Sequence, residues 1–166
     1  MNSGGLLVAC GIGVVACGLA AGVFLTFSDF LMPSLRAVTP ASGIQAMQMI
    51  NRKVYRSGFV VLLWGLVVAA PLLILFAYLS DVGAAFGWIV AAGGIYWVGA
   101  FAVTLAFNVP MNEQLDAMDD SASETMAYWE STYLPTWTFW NSVRTLMTMT
   151  AGICYGVAVV LLAQAG

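Results

Sequence analysis

Five residues late in the chain, Trp129, Tyr133, Trp137, Trp140 and Arg144, recur at intervals of 4, 4, 3 and 4. On a helix that spacing makes one stripe, and flat rings ending in a cation could line a pocket for a planar aromatic ligand. The competing reading is an aromatic belt, because Trp and Tyr favour the headgroup level of a bilayer. A belt explains the residue types but not their spacing. Pro135 falls within the stripe and is expected to interrupt it, leaving two shorter pieces. Polar residues gather nearby in three groups: Thr26, Ser28 and Asp29; Asn108, Asn112 and Glu113 in NVPMNE; and Asn141, Ser142, Arg144 and Thr145 in WNSVRT. Asp29 and Arg144 are the expected ion pair, since a lone buried carboxylate is costly. With Asn108 and Asn141 they would either clasp helix ends together or floor a small pocket beneath the aromatic stripe. Both readings stand on the residues alone.

The elements that must position these groups are apolar helices. No charged residue occurs between Gly4 and Phe27, Gly58 and Leu79, Val82 and Phe107, or Thr145 and Ala163. Each stretch is near the roughly 20 residues a helix needs to cross a bilayer. At 61% hydrophobic and 8% charged, the composition excludes a soluble domain. The net charge of −3 carries no nucleic-acid signature. The expectation is an all-α, four-transmembrane-helix bundle, one domain over 1–166, with spans at about 4–32, 58–79, 82–107 and 143–163. The N-terminal run lacks the basic n-region of a signal peptide and is longer than its apolar core, so it reads as a retained first helix. All five cations, Arg36, Arg52, Lys53, Arg56 and Arg144, fall in or just after the first and third connections. The positive-inside rule then puts those connections in the cytoplasm and both termini outside. The third connection is acidic (Glu113, Asp116, Asp119, Asp120, Glu124, Glu130), so the two connections should attract one another and form a cap.

Within the spans, Gly18 and Gly22, Gly83 and Gly87, and Gly152 and Gly156 each form GxxxG, which serves either packing within the bundle or a homo-oligomer face. Pro71 should kink the second span. In the first connection Ile44, Met47, Ile50 and Val54 repeat at helical spacing, with Gln45, Gln48, Asn51 and Arg52 on the other side. That pattern predicts an amphipathic helix lying at the membrane interface. Residues 115–126 read as a loop or short surface helix ahead of the aromatic-rich segment. Cys10, Cys17 and Cys154 lie inside spans and read as packing residues rather than a disulfide or zinc set.

GVFLTFSDFLMPSLR, GIQAMQMINR, FNVPMNEQL and YLPTWTFWNSVRT together resemble an integral-membrane family of mostly uncharacterised bacterial proteins whose members include fungal anthrone oxygenases. The resemblance covers nearly the whole chain in order and spacing, and NVPMN and WxxWNxxR are its most distinctive parts. It implies four transmembrane helices, a bacterial inner-membrane location and, for the fungal members, oxidation of an anthrone to an anthraquinone by molecular oxygen without a bound cofactor. Such chemistry needs a base, an oxyanion stabiliser and a ring platform. On that analogy Asp29 or Glu113 would be the base, Arg144 with Asn108 and Asn141 would stabilise the oxyanion, and Trp137 and Trp140, with Tyr133 and Asn112, would hold the rings. One departure is visible: relatives often carry His after the WxxWN asparagine, where this chain has Ser142 and no histidine anywhere. That absence argues against haem, copper and non-haem iron, so neither a cofactor nor a metal is expected. The alternative is a non-catalytic accessory subunit of a larger membrane complex, contacting partner helices, lipids or pigments. A channel or transporter is a third class, disfavoured because the span centres offer only hydroxyls such as Thr104 and Thr148.

Overall fold

The computed structural model describes residues 3–165, and its described residues form helices with no strand. Five helical runs follow one another: α1 Gly4–Ala37, α2 Pro40–Val54, α3 Gly58–Leu79, α4 Ala85–Asp116 and α5 Ser123–Ala165. All but α2 are long and apolar enough to cross a membrane. The expected all-α, four-span architecture is therefore present, although α1, α4 and α5 all run past the ends predicted for their spans. Met1, Asn2 and Gly166, the extremes of the expected domain, lie outside the described residues.

The overruns have a local cause. Wide π-helical turns occur at Phe27–Leu31, Thr104–Asn108 and Trp129–Tyr133, and each is followed two residues later by a proline: Pro33, Pro110 and Pro135. A proline lacks the N–H for the ordinary ladder and crowds the carbonyl four residues earlier. A widened turn re-routes those bonds and lets the helix continue. The expected break at Pro135 is thus absent: α5 carries the aromatic stripe and the last span on one axis. Residues 123–126 begin that helix, and only the short stretch around 117–122 is non-helical. Helix α3 likewise runs unbroken through Pro71.

Small residues set the helix spacing. A Cβ at Gly152 would lie 3.1 Å from Cβ of Cys17, and one at Gly13 would lie 3.0 Å from the Tyr155 ring, so α1 and α5 pack closely. Gly99 on α4 receives the Met147 side chain of α5, and Gly93 faces Ile74 of α3 at 3.0 Å. Gly18, Gly22, Gly83 and Gly87 have no such neighbours. Of the three GxxxG pairs, only Gly152 and Gly156 meet another helix. The buried cysteines pack as expected and are unpaired.

Helix α2 lies against the end of α4 rather than alone at an interface. Thr39 starts it, its Oγ1 accepting from the Ser42 amide. Gln48 and Asn51, expected on the outer side, are 7% and 5% exposed. Gln48 Nε2 donates to the carbonyls of Leu115 and Met118 at 2.8 and 3.0 Å, which is why it turns inward. Arg52 Nε donates to Asp116 Oδ1 at 2.7 Å, the one ion pair among the described residues and the expected attraction between the two connections.

Candidate functional site

The site is built at the end of the bundle where α2 covers the spans. Three rings of the predicted stripe stack in series: Trp129 on Tyr133 at 5.3 Å and 19°, and Tyr133 on Trp137 at 6.2 Å and 18°. All three are buried. Asn112 of α4 fixes the last two, its Oδ1 accepting from Tyr133 Oη at 2.8 Å and from Trp137 Nε1 at 2.7 Å. One amide oxygen thereby sets the tilt of two rings. Asn108, 1% exposed, donates from Nδ2 to the Trp137 carbonyl at 3.2 Å, holding the backbone behind the same ring.

Trp140 departs from the stripe. It stacks on Phe107 at 3.6 Å and 6°, with exposed Phe139 edge-on at 5.2 Å, and does not line the cavity described below. The 3-residue step from Trp137 carries it around the helix, so the predicted ring-binding role does not follow from its position.

Arg144 is 6% exposed. Its Nη2 donates to Asn141 Oδ1 at 2.7 Å and its Nη1 to Thr104 Oγ1 at 3.2 Å. Its carbon Cζ sits 4.5 Å from the Phe24 ring centroid and 5.3 Å from that of Trp137. Among the described residues no carboxylate pairs with it, and its Nε is buried with no partner among them. The expected Asp29–Arg144 ion pair is absent: Asp29 is exposed on the π-helical turn of α1. Asn141 serves instead as the link between α5 and α1, since its Nδ2 donates to the Phe24 carbonyl and to Ser28 Oγ, both at 2.6 Å. Its donors are therefore engaged, and it orients the guanidinium through its oxygen. Glu113 is exposed as well. Ser142, also exposed, bonds Ser28 Oγ at 3.0 Å and the Thr138 carbonyl at 2.9 Å, away from Arg144.

A cavity with about 110 Å³ of free space opens between these groups. Its walls are mainly aromatic and aliphatic, including Phe24, Phe27, Phe59, Leu63 and Trp137, with Asn51, Asn112, Thr104, Asn141 and Arg144 as polar points. Asn51, 5% exposed, adds a buried amide to this wall. Of the residues expected from the sequence, the structure gathers Arg144, Asn141, Asn112 and Trp137 at this cavity. Tyr133 and Asn108 stand behind it, and Asp29 and Trp140 lie outside it. Phe24, Phe59 and Asn51 were not anticipated. The Phe residues carry no signal among so many apolar neighbours, and Asn51 was assigned to the wrong side of α2. The arrangement presents a desolvated cation, backed by the Phe24 and Trp137 rings, to a largely apolar cavity. Among the described residues no cluster of His, Cys, Asp or Glu could hold a metal ion. A wider depression beside Arg36 and Glu130 lies elsewhere on the surface and has no such ring stack.

Residues 52–154 match the family model described as anthrone oxygenase, which is more than half of the chain. No curated protein and no solved structure gives a significant match.

Proposed function

The chain belongs to the anthrone oxygenase family, and on that premise we propose that it oxidises a planar, enolisable aromatic ketone with molecular oxygen at the cavity beside Arg144. The observation that carries this reading is a buried guanidinium with two ring faces against it, an unpartnered Nε and no counterion. An uncompensated buried charge is expensive, and an enolate or phenolate oxygen in the cavity would relieve that cost. The same charge lowers the pKa of the bound ketone's enol, because an opposite charge nearby favours the ionised form.

The chemistry balances without a further oxidant. The ring methylene loses a proton to give the enolate, whose oxygen lies at Arg144. The enolate carbon passes its electron pair to oxygen and forms a C–O bond to a peroxide. Loss of the remaining hydrogen on that carbon breaks the O–O bond, leaves a second carbonyl and releases hydroxide, which takes up the first proton as water. No carboxylate or imidazole lines the cavity, so the first proton leaves to water or to a phenolic oxygen of the substrate itself. Asp29 and Glu113 have no direct contact with substrate in this scheme. Asn141 and Thr104 hold the guanidinium against the Phe24 and Trp137 rings, the aromatic and aliphatic walls receive the flat substrate, and Asn112, Tyr133 and Asn108 keep Trp137 in place. The Ser142 position points away from the cavity, so the missing histidine takes nothing from its walls. The Lys/Arg bias favours a cytoplasmic orientation for this end of the bundle.

The test is oxygen uptake and quinone absorbance with the full chain reconstituted in liposomes and supplied with an anthrone. Catalysed quinone formation that disappears in Arg144→Gln, at unchanged folding, is the expected result. Wild-type protein that binds anthrone no better than empty liposomes, or binds it and leaves its oxidation rate unchanged, would sink the reading.

A further inference from the structure

The cavity beside Arg144 does not end at its own walls. A second apolar space of about 130 Å³ adjoins it and shares Phe24, Tyr55, Val60, Leu63, Thr104 and Val109 with it. It runs outward between α3 and α4. Those helices are held together deeper in the span, where Tyr96 Oη donates to the Leu63 carbonyl at 3.0 Å and Trp97 Nε1 to the Val67 carbonyl at 3.1 Å. At the outer edge stand Trp64 of α3 and Leu105 of α4, 53% and 49% exposed on helix surfaces that a bilayer would cover. Phe101 packs edge-on against Trp64 and against Trp97, both at 5.3 Å, and forms one lip.

The two spaces differ in chemistry. The inner one carries an arginine and three amide side chains, whereas the outer one has no charged or amide group. Its Tyr96 hydroxyl is engaged by Leu63 and its Thr104 hydroxyl donates to the Ala100 carbonyl at 2.7 Å. A ligand matched to both has a flat ring system with an ionisable oxygen at one end and an apolar extension at the other. Resting on the reading of the Arg144 cavity given above, we infer that the substrate is such an amphipathic aromatic ketone, loaded sideways from the lipid through the α3–α4 groove. Sideways loading leaves the apolar extension in lipid or protein throughout, so its transfer into water is avoided.

Leu105 lines only the outer space and faces lipid, so it can be changed without touching the Arg144 cavity. The experiment measures binding anaerobically in nanodiscs, using a dihydroxyanthrone and the same ring carrying a long linear alkyl chain. Thermal melting confirms folding of Leu105→Trp and Leu105→Ala. Leu105→Trp should weaken the alkylated probe at least about tenfold, roughly 1.4 kcal/mol, and leave the bare ring within about twofold. Leu105→Ala, which widens the mouth, should leave both probes bound. Equal affinities for the alkylated probe in wild type and Leu105→Trp would overturn the groove while the Arg144 cavity survives, as would equal weakening of both probes. Failure of the wild type to bind either probe would instead remove the Arg144 cavity as a ring site, and the groove with it.

Discussion

The middle and the α2-covered end of this bundle are packed by opposite means. In the middle, Cys17, Ala20, Ala92, Ala151 and Ala158 are buried, glycines receive neighbouring side chains, and the side-chain hydrogen bonds that cross between helices run from Tyr96 and Trp97 to carbonyls of α3. At the end, Trp129, Tyr133 and Trp137 are buried beside Asn108, Asn141 and Arg144, and hydrogen bonds cross between helices. Lipid is as apolar as leucine, so apolar burial alone drives helices together weakly, and close approach of small residues has to hold the middle. The end is held by directed polar contacts, and buried polar atoms without a partner occur in both regions, Arg144 Nε and Asn108 Oδ1 at the end and Thr148 Oγ1 in the middle. The middle relies on close packing of small residues and the end on directed contacts around a buried cation, and the ligand-holding role proposed above belongs to the end.

The sharpest break of that division is Gly99→Leu. A side chain there collides with Met147, which the packing between α4 and α5 cannot absorb. The expected outcome is loss of the wild-type elution peak in size-exclusion chromatography, while Gly18→Leu, with no atom within 4 Å of its Cβ, should elute as wild type. If both variants fold equally well, small-residue packing is not what holds the middle.

Arg144→Gln is the converse. Turnover should fall by about 10²–10³, the usual cost of losing one oxyanion donor, with little change in melting temperature because the removed charge had no counterion. A variant that unfolds would make Arg144 a structural clasp and favour the alternative of a non-catalytic subunit. Between these extremes lies Asn112→Leu, which leaves Tyr133 Oη and Trp137 Nε1 without their acceptor. A cost of about 1–3 kcal/mol per stranded donor is expected, read as a lower melting temperature together with weaker ring binding.

The sequence made the two regions unequally legible. Charge-free stretches of span length announce four helices, and the spacing of Trp129, Tyr133 and Trp137 anticipates their stack. The stripe misplaces Trp140, because its 3-residue step rotates that ring toward Phe107. Asp29 and Arg144 looked like partners because charge type is visible in a sequence and direction is not. The π-helical turn before Pro33 leaves the carboxylate exposed while Asn141 takes the guanidinium. Gln48 and Asn51 lie four and seven residues after Ile44, so helical register already puts them on its buried face against what their polarity suggests, and the α4 carbonyls that satisfy Gln48 are the part α2 alone does not reveal.

The smallest effects should come from the charges outside the cavity. Asp29→Asn removes an exposed carboxylate that pairs with no cation, so turnover should stay within about twofold of wild type, well under 1 kcal/mol. Arg52→Gln breaks the pair with Asp116, whose side chains are 53% and 38% exposed. Exposed pairs contribute about 0–1 kcal/mol and are screened by salt, so the loss of melting temperature should be slight and should vanish at high ionic strength. The comparison of the two variants locates the acid–base chemistry. If Asp29→Asn abolishes turnover while Arg52→Gln does not, a carboxylate outside the cavity reaches the substrate through water or through movement of α1. If both are silent, proton removal is left to the ligand's own ionisation under the field of Arg144.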